Sequence, residues 1–182
     1  MSETLSYKNY NPRLSKKNED RIFGKGHIGG KASGLCFAEE VVEKYSDVFK
    51  QCVKIPESFF IATDYYQMFL DYNDLNDITE DTPYDEAEIR FRETKFPTEY
   101  EKILYEILSK MHYPLAIRSS SLLEDNIKYS FAGKYYTTFI PNRGSDRERV
   151  KQLEKAIKEI YLSVYSLMLL LTEKSMHRAR RI

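Results

Sequence analysis

The feature that most constrains the fold of this chain is a regular apolar pattern in its last third. Seven apolar residues recur there at intervals of three and four: Val150, Leu153, Ile157, Ile160, Val164, Leu167 and Leu171. Since 3.6 residues make one helical turn, this spacing predicts a single long helix with one apolar stripe. Tyr161 and residues 168–170 make the stripe wider than a coiled-coil seam. We therefore expect the helix to face a core or an interface, and a homodimer through residues 146–180 would also cover it.

Charge and length exclude several classes of protein. The chain has 182 residues, with 28 Lys and Arg against 28 Asp and Glu, so it lacks the basic excess typical of nucleic-acid-binding domains. No 18-residue apolar run is present that would predict a membrane span. Residues 1–21 are polar, which predicts a tail or a surface arm rather than a signal peptide. We expect a cytoplasmic protein without nucleic-acid or membrane partners.

Shorter patterns alternate between helix and strand, which predicts an α+β fold. Helices are predicted over about 31–49, 64–69 and 98–111, and short strands over 58–63, 114–120 and 135–140. Capping boxes formed by Asp64 with Gln67 and by Thr98 with Glu101 mark two of the helix starts. Residues 71–95 are acidic, are interrupted by Asn and Pro, and do not fit a calcium loop. They are expected to form a solvated loop.

A glycine cluster, GKGHIGGKAS at 24–33, precedes the first helix. It contains the spacing G-x-G-x-x-G, but the polar segment before it does not predict the hydrophobic strand that a dinucleotide fingerprint requires. A Walker A loop is also excluded, because Lys25 and Ala32 stand where that motif needs Gly and Ser or Thr. At a helix start, Gly30 and Lys31 can present backbone N–H groups and an ammonium to a phosphate. A plain glycine turn with a solvated lysine explains this segment equally well.

A second segment also carries groups suited to phosphate. Arg118 ends a predicted strand and is followed by three serines, and its planar guanidinium matches polyphosphate oxygens. A salt bridge with Glu124 or Asp125 is the alternative role for this arginine. Further along, the small-residue loop SFAG at 130–133 precedes a strand, and Gly133 would allow a phosphate to approach the backbone closely.

Four blocks of this sequence occur together, in the same order and spacing, in one known family. They are GGKASGL at 29–35, IPESFFIAT at 55–63, IRSSSLLED at 117–125 and SFAGKYYT at 130–137. Over about 29–138 the chain resembles the N-terminal nucleotide-binding domain of the pyruvate phosphate dikinase and phosphoenolpyruvate synthase family, a module shared with glucan water dikinases and rifampin phosphotransferases. It departs from the pattern at Lys134, where the family usually has Gln, and at Glu57-Ser58, where it has Gly before Phe59.

The resemblance implies an ATP-grasp-like fold that clamps ATP between two lobes, of which this chain would be the N-terminal lobe with a long C-terminal helix. It implies that Lys31 and Arg118 bind the triphosphate and that the Gly133 loop and Thr137 cover it. Gly30 and the serines from Ser119 to Ser121 would add phosphate donors, although helix or loop capping is an equal alternative for the serines. The implied chemistry is transfer of the β-phosphoryl group of ATP to a histidine on a separate swivelling domain, which leaves AMP.

The same resemblance places several parts of such an enzyme outside these residues. They are the second lobe with its Mg²⁺-binding carboxylates, the phosphohistidine domain and the barrel for phosphoenolpyruvate and pyruvate. We expect residues 22–182 to be the front portion of an ATP-binding domain, inactive alone. The alternative is a non-catalytic nucleotide-binding or dimerising regulatory module of the same fold. The acceptor, whether pyruvate, phosphate, a glucan or an antibiotic, is not specified by these residues.

Overall fold

The computed structural model describes residues 6–49, 52–79, 81–120 and 137–179, with side chains as far as Tyr165. These residues form helices and two small two-stranded sheets, so the predicted α+β class is confirmed. They divide into two compact units. The first takes in the described residues up to Tyr65 together with Ser120, and the second takes in Tyr66–Ser119 and the described residues from Thr137 onwards. No helix in the described ranges is both long and apolar enough to cross a membrane.

The first unit is built around a short parallel strand pair and one helix. Strand β1 (Ile22–Phe23) pairs with β2 (Phe60–Ile61), and helices α1 (Gly29–Lys44) and α2 (Ser46–Phe49) lie between them in the chain. The core contains the apolar residues Ile28, Ala32, Cys36, Phe60 and Ala62. The strand predicted over 58–63 is reduced to two residues, because its partner β1 ends where Gly24 turns the chain with a φ of +94°.

The described part of the N-terminal segment lies on the surface of this unit. It forms three 3₁₀ turns, at 7–9, 12–14 and 16–18. The Tyr10 hydroxyl donates to Glu40 of α1 at 3.1 Å, and Arg21 pairs with the buried Glu39 at 2.5 Å. Two of its residues, Pro12 and Asn18, are buried. The residues predicted as a tail or arm therefore pack along α1 from residue 6 onwards.

The second unit is mostly helical. It contains α3 (Thr63–Tyr72) from Tyr66 onwards, α4 (Tyr84–Glu93), α5 (Thr98–Lys110), α6 (Asp146–Ala179) and the strands β3 (Leu115–Arg118) and β4 (Thr137–Ile140). Helix α6 packs against α4, α5 and both strands. Four residues of its apolar stripe are buried in this unit: Val150, Leu153, Ile157 and Ile160. The next stripe residue, Val164, is half-buried. The stripe residues Leu167 and Leu171 fall beyond the described side chains.

Helix α4 corrects the prediction of a loop over 71–95. It turns one narrow apolar side inwards through Ala87 and Phe91, which are spaced one helical turn apart and almost completely buried. Phe69 of α3 stacks near Phe91, with ring centroids 6.3 Å apart. Two buried residues are too few to give a strong periodic signal, so the acidic composition concealed this helix.

The predicted capping boxes are also wrong. Thr98 is the first residue of α5, and Pro97 occupies the capping position without a side-chain hydrogen bond. Asp64 lies inside the first turn of α3 and binds another segment instead. A capping box is present at the start of α6. The Ser145 N–H donates to the Glu148 carboxylate at 2.8 Å, and the Glu148 N–H donates to the Ser145 hydroxyl at 3.4 Å.

A buried arginine joins the start of α6 to the end of α5. The Arg149 guanidinium donates to the carbonyl oxygens of Leu108 and Met111, at 2.6 and 2.7 Å, and to the Asn142 side chain at 2.9 Å. Asn142 in turn donates to the carbonyls of Met111 and Tyr113, both at 2.9 Å. The last carbonyls of α5, which no residue of the helix itself can satisfy, thus receive side-chain donors.

Candidate functional site

The glycine cluster of the first unit forms a loop between β1 and α1 that is held from two sides. The Arg13 guanidinium of the N-terminal segment donates to the carbonyl oxygens of Gly24 and Gly26, at 2.9 and 2.5 Å. From the start of α3, the Asp64 carboxylate accepts the Lys25 N–H at 2.6 Å. The Thr63 hydroxyl next to it accepts the N–H of His27 at 3.0 Å. The loop conformation is therefore fixed by side chains that the glycine motif itself does not contain.

Three of its glycines are required by packing against protein. A Cβ on Gly24 would lie 2.3 Å from the Asp64 carboxylate, and one on Gly26 would lie 2.4 Å from the Thr63 hydroxyl. A Cβ on Gly29, whose φ is +79°, would lie 1.3 Å from the carbonyl oxygen of Ser120. A strand does precede this G-x-G-x-x-G spacing, contrary to the sequence-based expectation, but it has only two residues. The three glycines bring the chain close to other protein segments.

The start of α1 has the arrangement that the glycine-lysine pair predicts. The helix begins at Gly29, and its first turn contains Gly30 and the half-buried Lys31. The capping residue Ile28 offers no side-chain hydrogen bond to the first N–H groups. One turn further, the Ser120 hydroxyl accepts the Ala32 N–H at 2.9 Å, so capping is the role of this serine.

The charge of Asp64 is stabilised by the loop that it binds. Partial burial acts to raise the pKa of this carboxyl group. Hydrogen bonds from the backbone N–H groups of Lys25 and Gly26, and from the first turn of α3, outweigh that effect and hold the pKa below its ordinary value of 3.8. At neutral pH the glycine loop is consequently held by a carboxylate, which is a stronger acceptor than a neutral acid.

In the second unit, two predicted phosphate-binding residues are brought side by side. Strands β3 and β4 are antiparallel, and their register places Arg118 directly opposite Thr137. Directly opposed residues of an antiparallel pair project from the same face, so the guanidinium and the hydroxyl share one side of the sheet. Arg118 is exposed and Thr137 is half-buried. This pairing joins residues that are 19 positions apart in the sequence.

The opposite face of the strand pair belongs to the core. Leu115 and Ile140 are opposed there and both are buried. On the same face, the Thr138 hydroxyl donates to the Glu159 carboxylate of α6 at 3.1 Å. Helix α6 thus supports the strands from behind and leaves the face of Arg118, which we call the outer face, in contact with solvent.

The remaining predicted residues have different positions. Ser119 is only 7 % exposed, and its buried hydroxyl oxygen has no hydrogen-bond partner among the described residues. Gly133 lies outside the described residues, as do Ser121, Glu124 and Asp125. Lys31 and Gly30 belong to the first unit, whereas Arg118 and Thr137 belong to the second. Within the described ranges, no group of three or more His, Cys, Asp or Glu side chains is arranged to hold a metal ion.

Sequence reasoning missed the residues that hold the glycine loop. The sequence predicts only a helix cap at Asp64, and no local pattern points to Thr63 or Arg13. Their contacts depend on tertiary structure, because Asp64 lies 39 residues from its partner Lys25. The only local signal was an acidic residue near a helix start, which many helices share.

Comparison with known proteins identifies one family. The chain matches the model of the pyruvate phosphate dikinase AMP/ATP-binding domain over residues 25–170. The matched range takes in the glycine loop from Lys25, the start of α1 and both strands β3 and β4. Comparison with curated proteins and with solved structures returned no match.

Proposed function

Because the chain belongs to the family of pyruvate phosphate dikinase AMP/ATP-binding domains, we propose that it is the ATP-binding part of a dikinase-type phosphotransferase. In this proposal the β-phosphoryl group of ATP passes to a histidine on a separate domain, AMP is released, and the γ-phosphoryl group is transferred to water or inorganic phosphate. The fold would be the N-terminal lobe of an ATP-grasp-like domain, running from 22 to 182 with α6 as its long C-terminal helix. The proposed reaction is the one expected of enzymes of the phosphoenolpyruvate synthase and pyruvate phosphate dikinase type.

The observation that carries the proposal is the pairing of Arg118 with Thr137 on an exposed face. An exposed guanidinium beside a hydroxyl offers several donors to neighbouring phosphate oxygens. In the other unit, Lys31 and the N–H groups at the start of α1 offer a positive charge and a helix dipole. We propose that these groups, with Gly30 and Gly133, bind the triphosphate. Ser119 remains the weakest of the proposed ligands because its hydroxyl is buried.

The chemistry that these residues can supply is charge neutralisation and positioning. Phosphoryl transfer spreads negative charge over the transferred oxygens, and donors fixed in advance stabilise that charge without further reorganisation. The well-held glycine loop would fix the direction of α1 and hence of Lys31. A Mg²⁺ ion would supply further neutralisation when bound with ATP. As the family resemblance implies, we propose that carboxylates of a second lobe provide its protein ligands.

Calorimetric titration of the chain with ATP, with and without Mg²⁺, tests the proposal. We expect Lys31→Ala and Arg118→Ala each to weaken ATP binding by about 10- to 100-fold, the loss expected for a hydrogen bond to a charged group. Lys54→Ala and Arg147→Ala remove one exposed positive charge each from elsewhere in the same units and should leave the affinity unchanged. Equal affinity in all five proteins would refute the assignment of these site residues.

A second measurement separates binding from turnover. Since the proposed acceptor histidine belongs to a separate domain, the isolated chain should bind ATP without forming AMP. Phosphorus NMR of the chain incubated with ATP and Mg²⁺ would detect AMP directly. AMP formation by this chain would contradict the proposal that the acceptor lies on a separate domain. ATP binding without AMP formation fits both a phosphotransferase lobe and the alternative, a regulatory nucleotide-binding module. Adding the phosphohistidine domain then separates these two.

A further inference from the structure

The outer face of the β3–β4 pair carries a second feature beside Arg118 and Thr137. Two residues along each strand from that pair, Ala116 lies opposite Phe139. Because side chains alternate between the two faces of a strand, Ala116 and Phe139 project from the same face as Arg118 and Thr137. This face therefore presents a guanidinium and a hydroxyl at one end and an aromatic ring at the other.

Phe139 is unusually exposed for an aromatic residue in a strand. It is 76 % exposed, more than any other aromatic side chain in the described part of the protein. Its cross-strand partner Ala116 has only a methyl group, so the neighbouring strand does not cover the ring. Single exposed apolar residues are common on protein surfaces. The position of this one beside Arg118 is what distinguishes it.

We infer that Phe139 is the surface on which the base of the bound nucleotide stacks. This inference rests on the proposed function, since it needs the phosphates of the same ligand to meet Arg118. Successive side chains on one face of a strand are about 6.5–7 Å apart, and an extended arginine adds further reach. A ligand with phosphates at one end and a planar ring at the other therefore fits this spacing of charge and aromatic surface. Stacking on one ring accepts any base, so the contact adds affinity rather than strict base selection.

A matched pair of ligands tests the inference. Inorganic tripolyphosphate carries the three phosphates of ATP without the base, so it reports on the phosphate contacts alone. In calorimetric titrations we expect Phe139→Ala to weaken ATP binding by about 5- to 100-fold, the range for loss of one base–aromatic stack. The same substitution should leave tripolyphosphate binding within twofold. Phe139→Tyr keeps the ring and should bind ATP as the unchanged protein does.

Two controls separate this inference from the proposed function. Arg118→Ala should weaken the binding of both ligands, because it removes a phosphate contact. Tyr105→Ala removes an exposed aromatic ring from α5 of the same unit and should change neither affinity. The variants should unfold at the same temperature as the parent chain, since Phe139 is not part of the core.

The outcomes distinguish failure of the stacking role of Phe139 from failure of the proposed ATP-binding function. If ATP and tripolyphosphate both bind and Phe139→Ala alters neither or alters both equally, the stacking role is wrong while the phosphate site stands. Loss of ATP affinity confined to Phe139→Ala, with tripolyphosphate unaffected, supports it. If the folded parent chain binds neither ligand, the proposed function fails and the stacking role fails with it. A lower unfolding temperature for Phe139→Ala, with ATP affinity unchanged, would show that protein rather than nucleotide covers the ring.

Discussion

The glycine loop and the outer face of β3–β4 contain the principal phosphate-binding candidates, and they are built in opposite ways. The loop is held by Arg13, Asp64 and Thr63, and three of its glycines touch other protein segments. The outer face is open, with Arg118 and Phe139 projecting into solvent from strands whose other side is buried. One region contributes a fixed backbone, and the other contributes exposed side chains on a supported surface.

This difference shows how the glycine cluster should be interpreted. Glycines in a phosphate-binding loop are usually explained by close approach of the phosphate to the backbone. Here Gly24, Gly26 and Gly29 are explained by close approach of protein atoms. Of this cluster, only Gly30 and Lys31 belong to the proposed phosphate site. Substitutions in the loop should therefore act on stability, and substitutions on the outer face should act on binding.

The largest effect is expected from Gly29→Ala. Its Cβ would collide with a backbone carbonyl 1.3 Å away, at a φ of +79° that an L-residue rarely adopts. We expect this change to destabilise the protein by about 2–5 kcal/mol, combining overpacking with backbone strain. Urea unfolding measures the loss.

Gly34→Ala is the matched control for that experiment. It lies inside α1, where a Cβ would meet only the Tyr7 hydroxyl at 3.9 Å. Alanine should stabilise the helix there by about 0.5–1 kcal/mol. If the two substitutions have similar effects, the tight approach of Ser120 to Gly29 is not present in solution.

A smaller loss is expected from Arg13→Ala. The substitution removes the donors to the carbonyls of Gly24 and Gly26 and should cost about 1–2 kcal/mol. Lys17→Ala in the same segment breaks only an exposed ion pair with Glu43 and should cost no more than about 0.5 kcal/mol. Urea unfolding measures this loss of stability. In addition, amide hydrogen exchange over residues 24–28 should be faster in Arg13→Ala than in the parent chain. Unchanged exchange there would mean that the loop does not depend on this arginine.

Asp64→Asn should have a pH-dependent effect of about 1 kcal/mol at neutral pH, because a neutral amide accepts the loop N–H groups less strongly than a carboxylate. The folded-state pKa of Asp64 lies below 3.8, so its stabilisation is complete above that pH and is lost as the pH falls through the folded-state value. The difference between the parent chain and Asp64→Asn should therefore shrink on acidification. Urea unfolding at pH 7, 5 and 3 checks this, with the exposed Asp20→Asn as the control. A difference that grows towards pH 3 would reverse the assigned sign.

The smallest effect on stability is expected from Arg118→Ala. The residue is exposed at the end of β3, so the free energy of unfolding should change by no more than about 0.5 kcal/mol. Because the same substitution should weaken ATP binding strongly, it sharpens the contrast with the glycine loop. Thermal unfolding and calorimetry on one preparation test both parts. A stability loss as large as that of Gly29→Ala would show that this arginine is structural.

The sequence predicts those helices whose apolar residues recur in a strong periodic pattern. Helices α1 and α5 have broad apolar faces and were placed correctly to within a few residues. Helix α4 has a narrow one and was missed. The capping boxes show the limit of short motifs. Thr98 and Glu101 have the same spacing as Ser145 and Glu148, but Pro97 already gives the chain the extended entry that a cap provides.

For the candidate site, residue type was predictable and placement was not. The sequence singles out Arg118 at the end of a predicted strand, and the family resemblance singles out Thr137 within another predicted strand. Their direct opposition depends on strand register, and a slip by one residue would send one of them to the other face. The supports of the glycine loop depend on contacts between distant segments. Neither register nor distant contacts leave a pattern in a single sequence.

The buried Arg149 gives the second unit a mechanical consequence. By donating to the carbonyls of Leu108 and Met111, it fastens the first turn of α6 to the last turn of α5. Helix ends ordinarily fray independently, but these two ends share one guanidinium and can open only together. Strand β3 starts four residues after Met111, so an opening event there would also release the strand that carries Arg118. The strand that carries Arg118 therefore begins next to this shared anchor, and loss of the Arg149 guanidinium would loosen the end of α5, the start of α6 and the approach to β3 together.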